Sequence, residues 1–231
     1  MMLVFLIQNG EEAVLKNIDF SCHKGQKIAV IGSTGSGKST LVKLMNRFYD
    51  VSRGSIEING VDIRKYDLES LRAQIGYVAQ KAHMFKGSIK SNICFGKPEA
   101  SDEEMHHAAS VAQASDFISK RENGYLDEIA EDGTNISGGQ KQRLSIARVI
   151  LKKPSLYIYD DSFSALDFKT DATLRKTLKP EVKDAIFFVV AQRISTIMDS
   201  DMIIVLDEGQ IIGLGTHLEL LKNCSVYQEI A

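Results

Sequence analysis

A glycine-rich segment between an apolar run and an amphipathic stretch is the feature that most constrains the fold of this chain. Residues 27–31 form a nearly continuous apolar run, as in a strand that is buried on both faces of a parallel sheet. Gly32–Ser39 then fits the pattern G-x-x-x-x-G-K-[ST]. From Lys38 to Phe48, apolar side chains recur at helical spacing. Glycines let backbone N–H groups surround a phosphate, and the helix that follows directs its positive end toward it. The sequence therefore predicts a loop that binds a nucleotide phosphate.

Each part of this loop has a predicted role. Lys38 would reach the β- and γ-phosphates, and Ser39 would bind Mg²⁺. Asp160 follows the apolar run Leu156–Tyr159, and an acid at such a strand end commonly makes the second Mg²⁺ contact. From the residues alone, a flexible glycine turn and a helix cap at Asp160 and Asp161 remain the alternatives. The predicted nucleotide contacts within the loop are Gly32, Ser33, Thr34, Gly35, Ser36, Gly37, Lys38, Ser39 and Thr40.

The rest of the chain predicts an α/β fold. Apolar runs at residues 186–190 and 203–206 alternate with helical patterns, which is typical of a parallel sheet. Between the loop and these runs the sequence is more polar and helical. Ser101–Glu104 resembles a capping box, and a helix is predicted from Ser137 to Lys153. We therefore expect a single domain over residues 1–231, with a nucleotide-binding core from 1–80 and 151–231 and a helical part from 81–150.

Composition excludes several other classes of protein. The 231 residues are 44% apolar and 25% charged, which is the ordinary globular balance. The net charge of −2 argues against nucleic acid as a partner. Three widely spaced cysteines without a C-x-x-C pair argue against a disulfide framework or a zinc site and favour a reducing compartment. The apolar run Met1–Ile7 is far shorter than the roughly 20 residues of a spanning helix, so no transmembrane segment is predicted.

A Ser-Gly-Gly-Gln motif lies between the glycine-rich loop and Asp160. In this order the motifs resemble the ATP-binding-cassette (ABC) family over essentially the whole chain. The resemblance implies ATP and Mg²⁺ as cofactors and a P-loop NTPase core with a parallel sheet, an N-terminal antiparallel β subdomain and an inserted helical signature subdomain. It also implies that two cassettes pair head to tail, so that the signature of one meets the γ-phosphate held by the other. Ser137 would cap a helix whose N-terminus attracts an anion, although a plain glycine turn would look similar. The signature residues are Ser137, Gly138, Gly139 and Gln140.

Further segments resemble other elements of the family. Gln80 resembles the glutamine that contacts Mg²⁺ and water and links to the membrane domain, so the implied metal contacts are Ser39, Gln80 and Asp160. Residues 83–89 resemble the exporter branch. Glu128–Gly133 resembles the exporter loop that touches the intracellular helices, with Asp132 where most exporters have arginine. The residues that resemble the D-loop, which crosses the dimer interface, are Ser164, Ala165, Leu166 and Asp167.

Three further positions depart from the family pattern. Asp161 replaces the glutamate that acts as catalytic base, and its carboxylate ends about 1.5 Å shorter because one methylene is missing. Gln192 replaces the switch histidine and does not titrate near neutral pH. Ile7 stands where an aromatic residue usually stacks on adenine. We therefore expect the chain to bind MgATP and to hydrolyse it slowly.

This pairing of changes resembles the degenerate half of a heterodimeric exporter. The expected partners are a second cassette, in a heterodimer or alternatively a homodimer, and the transmembrane domain of an exporter. The expected location is the cytoplasmic face of a membrane, as a peripheral domain. The alternative is an ATP-sensing regulatory module without a transport role. A chromosome-maintenance or translation-factor ATPase fits less well, because the first carries an inserted coiled coil and the second carries two cassettes.

Overall fold

A computed structural model describes residues 2–7 and 14–231, with the side chains of residues 6 and 7 outside that description. Packing divides the chain into two compact units. The first comprises Met1–Tyr77, Ser155–Asp161 and Lys183–Ala231, and the second comprises Val78–Pro154 and Ser162–Val182. The second unit thus includes residues 162–182, which the sequence interpretation assigned to the same core as residues 1–80.

Two sheets build the first unit. In chain order the strands described in both units are β1 (Met2–Ile7), β2 (Ile18–His23), β3 (Lys27–Ile31), β4 (Gly54–Ile58), β5 (Val61–Asp62), β6 (Ile75–Val78), β7 (Gly87–Ser88), β8 (Glu128–Ile129), β9 (Leu156–Asp160), β10 (Ile186–Val190), β11 (Met202–Asp207) and β12 (Gln210–Gly215). Strands β7 and β8 belong to the second unit. The order β2-β1-β4-β5 forms an antiparallel sheet. The order β12-β11-β3-β10-β9-β6 forms a second sheet, in which β11, β3, β10 and β9 pair in parallel.

The apolar patterns explain these strands. Every residue of β9 and β10 is buried, as expected for parallel strands that are covered on both faces. In β2, Ile18 and Phe20 are buried while Asp19 is exposed, which is the alternation of a strand with one covered face. Side chains from both sheets meet in one core, in which Phe5 stacks on Phe20 at 4.5 Å between ring centroids. The prediction of an antiparallel β subdomain beside a parallel sheet is confirmed.

Helices dominate the second unit. The α-helices described in both units are α1 (Lys38–Met45), α2 (Leu68–Ala73), α3 (Ile89–Ile93), α4 (Asp102–Val111), α5 (Ser115–Ile118), α6 (Gly138–Lys152), α7 (Phe168–Val182), α8 (Ile194–Ile197), α9 (His217–Asn223) and α10 (Ser225–Ile230). Helices α3 to α7 belong to the second unit and the others to the first. Short 3₁₀ turns occur at Ile63–Lys65, Cys94–Gly96, Gly124–Leu126 and Glu131–Gly133. Of the helices in the second unit, α3 and α4 both pack against α6. Among the described helices, none has the length and apolar content needed to cross a bilayer.

Local signals set the helix ends. Ser101 and Ser137 each form a capping box, with Glu104 and Gln140 respectively, so both predicted helix starts are confirmed. Helix α6 ends at Lys152, and its C-cap Lys153 has a left-handed φ of 50°, one residue before the proline that the prediction used. Helix α1 ends three residues earlier than the predicted Phe48, and the left-handed φ of 49° at Arg47 accounts for this.

Candidate active site

The glycine-rich loop joins β3 to α1 in the first unit. Gly32 is packed so closely that an added Cβ would lie 2.0 Å from the carbonyl oxygen of Leu206. Gly37 precedes α1 with a left-handed φ of 104°, and it offers no side chain to cap the helix. The first N–H groups of an α-helix lack partners within the helix. At α1 they are therefore available to an anion, as at other helix N-termini that bind phosphate.

Lys38 turns back toward the loop. Its Nζ donates hydrogen bonds to the carbonyl oxygens of Gly32 at 2.7 Å and Ser33 at 2.6 Å. Burial lowers the pKa of the Lys38 ammonium group, while the carboxylates of Asp161 and Asp160 act in the opposite direction. The loop therefore places a positive charge near its own backbone and close to two acids, where the charge can pair with a phosphate.

The two acids lie where neighbouring strands end. Asp160 is the last residue of β9 and is paired across the sheet with Val190, which is in turn paired with Val30 of β3. Because the carboxyl ends of these parallel strands coincide, the segments that follow them meet at one edge of the sheet. This register brings Asp160 and Asp161 to the glycine-rich loop, and the next helix begins only at Phe168. The alternative that these acids cap that helix is therefore wrong.

Asp160 receives a hydrogen bond that the sequence interpretation missed. The hydroxyl group of Tyr77 donates to Asp160 Oδ2 at 3.2 Å. Burial raises the pKa of the Asp160 carboxyl, and the Tyr77 hydrogen bond partly opposes that rise. Burial also raises the pKa of Tyr77 to about 12, so the phenol remains a donor. The only sequence signal was that Tyr77 begins the Tyr-Val-Ala-Gln segment that leads to Gln80.

Asp161 and Gln192 are hydrogen-bonded to each other. Gln192 Nε2 donates to Asp161 Oδ2 at 2.7 Å. Asp161 is 8% exposed and has a left-handed φ of 47°, and its N–H donates to the carbonyl oxygen of Val190 at 3.0 Å. Aspartate adopts this backbone conformation more readily than most residues. Two of the residues that depart from the family pattern are thus joined directly, and the carboxylate of Asp161 interacts with the charge of Lys38.

The residues present fit a nucleotide with its Mg²⁺. An added Cβ at Gly35 would meet no described atom within 4 Å, so the loop leaves open space on that side. Ser39 is exposed in the first turn of α1. Within residues 2–7 and 14–231, no group of three or more His, Cys, Asp or Glu side chains is arranged to hold a metal ion. Mg²⁺ usually binds through one or two protein ligands, water and substrate phosphates. The hydroxyl group of Ser39 and the carboxylate of Asp160 are oxygen ligands of the kind that this mode uses.

The signature motif begins α6 in the second unit. Ser137 Oγ accepts from the N–H of Gln140 at 3.2 Å, and Gln140 Oε1 accepts from the N–H of Ser137 at 3.0 Å. An added Cβ at Gly138 would meet no described atom within 4 Å, whereas one at Gly139 would lie 3.4 Å from the carbonyl oxygen of Ala165. The predicted signature is therefore adjacent to the predicted D-loop within this unit, and Gly138 leaves open space at the N-terminus of α6.

The structure describes fewer contacts for the other predicted site residues, which are Gln80, Asp167 and Ile7. Gln80 is exposed and follows β6 in the second unit, where Gln142 Nε2 donates to the carbonyl oxygen of Ala79 at 3.2 Å. In the D-loop, Asp167 accepts from the N–H of Thr170 at 2.9 Å. Ile7 ends β1, and its side chain lies outside the described residues. The prediction that Ile7 contacts adenine stays a prediction.

The chain is similar in sequence to known proteins over nearly its whole length. Protein YgaD of Bacillus subtilis (strain 168), which carries the provisional name of a multidrug export ATP-binding/permease protein, is 43% identical over 226 residues. Heavy metal tolerance factor 1 of Caenorhabditis elegans is 45% identical over 214 residues. These alignments cover 98% and 93% of this chain, but only 39% and 27% of the relatives. The chain thus spans less than half the length of both relatives.

A solved structure extends the comparison to the fold. A bacterial Atm1-family ABC exporter with ATP bound matches 99% of this chain with a TM-score of 0.94 and 36% sequence identity, and the match covers 41% of that exporter chain. Residues 15–164, which are well over half of the sequence, match the ABC transporter family. The α/β fold with its glycine-rich loop agrees with this match. The chain belongs to the ABC transporter family.

Proposed function

We propose that this chain is the nucleotide-binding cassette of an ABC exporter, which binds MgATP to drive transport across a membrane. Support for ATP binding comes from the loop at Gly32–Ser39, the available N–H groups of α1 and the nearby carboxylate of Asp160. Support for export comes from the name of the B. subtilis relative and from the Atm1-family structure. ATP hydrolysis supplies the free energy, and the residues of this chain hold and orient the nucleotide.

The proposed partners are a second cassette and the transmembrane domain of an exporter at the cytoplasmic face of the membrane. In the proposed head-to-tail dimer, Ser137 to Gln140 would face the γ-phosphate that the second cassette binds. The open N-terminus of α6 supports this role, because a helix N-terminus without a crowding side chain attracts an anion. A heterodimer is proposed, with a homodimer as the alternative arrangement.

The proposal also includes slow hydrolysis of ATP in the site that this chain's own glycine-rich loop forms. The observation that carries it is the 2.7 Å hydrogen bond from Gln192 to Asp161. A general base must reach its water at about 2.6–3.2 Å, and the aspartate carboxylate is one carbon–carbon bond shorter than that of a glutamate. One carboxylate oxygen already accepts from the amide, which cannot take part in proton transfer near neutral pH. The site would therefore bind MgATP and hydrolyse it slowly.

The second candidate function is an ATP-sensing module without a transport role. The same pair, Asp161 and Gln192, favours it, because a site that binds ATP without hydrolysis can act as a sensor. Measured turnover with a partner cassette separates the two. A dimer that hydrolyses ATP at the site completed by this chain's signature supports the exporter, and a dimer without turnover supports the sensor.

Lys38→Ala is expected to remove most MgATP binding by the purified chain. A hydrogen bond to a charged group contributes about 1.5–3 kcal/mol, so the loss is roughly tenfold to over a hundredfold in affinity. Isothermal titration with MgATP measures it. Lys65→Ala, an exposed lysine in the turn Ile63–Lys65, is the matched control and should bind as the unchanged chain does. Equal affinity in the two variants would contradict the assignment of the loop.

Ile7→Tyr is expected to tighten ATP binding and to increase the preference for adenine over guanine. Stacking of a base on an aromatic ring contributes about 1–3 kcal/mol in nucleic-acid complexes, and the gain here should be similar or smaller. Titration with ATP and with GTP measures both effects. Ile7→Leu keeps an apolar side chain and should change neither. Unchanged affinity for both nucleotides in the tyrosine variant would show that this position does not contact the base.

A further inference from the structure

The hydroxyl group of Tyr77 lies 3.2 Å from Asp160 Oδ2, at the edge of the sheet where the glycine-rich loop begins. Tyr77 is the third residue of β6, which neighbours β9 in the sheet, and Asp160 is the last residue of β9. The side chain is partly buried against the apolar core, and its ring meets the ring of Phe48 edge-on at 5.8 Å. Packing therefore holds the ring while its hydroxyl group contacts the carboxylate.

This hydrogen bond restrains the last side-chain torsion of Asp160, which the aspartate side chain alone does not fix. The last torsion of an aspartate side chain, between its sp³ and sp² carbons, has broad and roughly two-fold preferences. A donor fixed on Oδ2 selects one orientation of the carboxylate and leaves Oδ1 for another partner. Mg²⁺ needs this restraint more than most ions do, since it requires near-ideal octahedral geometry with ligands at about 2.0–2.1 Å. A carboxylate with free rotation would lose entropy when it binds the ion.

We propose that Tyr77 is a positioning residue for Mg²⁺, which orients the Asp160 carboxylate through its hydroxyl group so that Oδ1 faces the nucleotide-bound ion. The inference rests on the proposed function, because it takes MgATP as the ligand of this site. In this role Tyr77 acts only through Asp160 and makes no contact with the nucleotide. Its effect therefore falls on the part of ATP affinity that depends on the metal, and the affinity for metal-free ATP stays the same.

The same hydrogen bond has two opposing effects on Mg²⁺ binding. The direction in which Mg²⁺ affinity changes when the hydroxyl group is removed shows which effect is larger. A phenol that donates to a carboxylate also withdraws charge from it, which taken alone weakens the carboxylate as a ligand. If that effect dominated, removal of the hydroxyl group would strengthen Mg²⁺ binding. Loss of a residue that orients a metal ligand typically costs about 10–100-fold in metal affinity. Orientation thus predicts a loss of about that size.

The experiment compares ATP binding with excess Mg²⁺ and with EDTA, by titration calorimetry on the full chain. Tyr77→Phe should reduce the gain in affinity that Mg²⁺ provides by about tenfold or more and leave the EDTA value unchanged. Mn²⁺ supplies a second readout, because its paramagnetic resonance spectrum in the presence of ATP should show weaker or less uniform binding in the variant. Tyr66→Phe is the matched control, since it removes a hydroxyl group that donates to the carbonyl oxygen of Ile58 at the same 3.2 Å beside the same core.

Coupling to Asp160 distinguishes positioning from a general loss of packing. In the Asp160→Asn background, Tyr77→Phe should cause no further loss of Mg²⁺ dependence. Tyr77→Leu, which also removes the hydroxyl group, should repeat the result if the phenylalanine variant folds poorly, as far-ultraviolet circular dichroism would reveal. An unchanged or larger Mg²⁺ effect in the folded Tyr77 variants, or an equal effect in Tyr66→Phe, would overturn the inference. If the unaltered chain binds ATP equally with Mg²⁺ and with EDTA, the proposed MgATP site itself fails.

Discussion

The double change Asp161→Glu with Gln192→His is expected to raise ATP hydrolysis in this chain's own composite site by about 10²–10⁴-fold, the usual contribution of a positioned general base. The two residues share one hydrogen bond of 2.7 Å, so they act as a unit rather than as independent defects. Glutamate would extend the carboxylate by one carbon–carbon bond toward the attacking water. Histidine would restore a group that titrates near neutral pH and can also donate to the γ-phosphate.

Each single change should give much less than the double change. Asp161→Glu alone leaves an amide on the longer carboxylate, and Gln192→His alone leaves the base short. Groups that act on one water molecule are not additive in their effects on rate. The left-handed φ of 47° at position 161 acts on every variant that carries Asp161→Glu, because glutamate adopts that conformation less readily than aspartate. The single glutamate variant and the double variant should therefore both lose some thermal stability.

The assay needs a partner cassette with an intact signature whose own base has been removed, so that only this chain's site can turn over. Adding Lys38→Ala to the double variant is the control, since it should return turnover to background if the new activity comes from this site. Phosphate release measured under saturating MgATP gives the rate. Turnover that stays flat in a double variant that still binds MgATP would mean that Asp161 and Gln192 are not the cause of slow hydrolysis.

Much of the fold could be predicted because its signals are local. The apolar run at residues 27–31 became β3 with the same bounds, and the capping boxes at Ser101 and Ser137 begin helices as expected. Each signal depends only on neighbouring residues, such as a serine three positions before a glutamate or a glutamine. The predicted end of α1 was wrong by three residues, because the sequence has no strong marker such as glycine for the left-handed turn at Arg47.

The candidate site was predictable only where a motif encodes it. The glycine-rich loop combines a fixed spacing with a strand and a helix, so its residues could be named from the sequence. The Tyr77 contact joins residues 83 positions apart, and it exists because β6 and β9 are neighbours in the sheet. The Gln192 contact with Asp161 spans 31 positions and depends on the register of β9 with β10. Strand order and register are set by tertiary packing, which the local pattern of either strand does not encode.

Gly138→Asp is expected to silence the partner's composite site while this chain remains folded. An added Cβ at Gly138 would meet no described atom within 4 Å, and a carboxylate in the first turn of α6 interacts favourably with the helix dipole. The change should therefore stabilise the helix slightly. The same carboxylate would occupy the place where the proposed dimer puts the γ-phosphate, and two anions cannot share one helix N-terminus. Loss of a single well-placed donor to a developing charge costs about 10²–10³-fold in rate, and the loss here should be at least as large.

Gly138→Asn is the matched control, because asparagine has nearly the same size and lacks the charge. It should retain considerably more turnover in the partner's site than Gly138→Asp does. The assay uses a dimer in which this chain also carries Lys38→Ala, so that only the partner's site contributes, and thermal melting confirms that both variants are folded. Equal turnover in the aspartate variant and the unchanged chain would exclude a γ-phosphate at this signature. If the Asp161 and Gln192 double change also left turnover flat, the heterodimer proposal would fail and the ATP-sensing module would be the better account. A loss confined to the aspartate variant would instead place the partner's nucleotide at the N-terminus of α6.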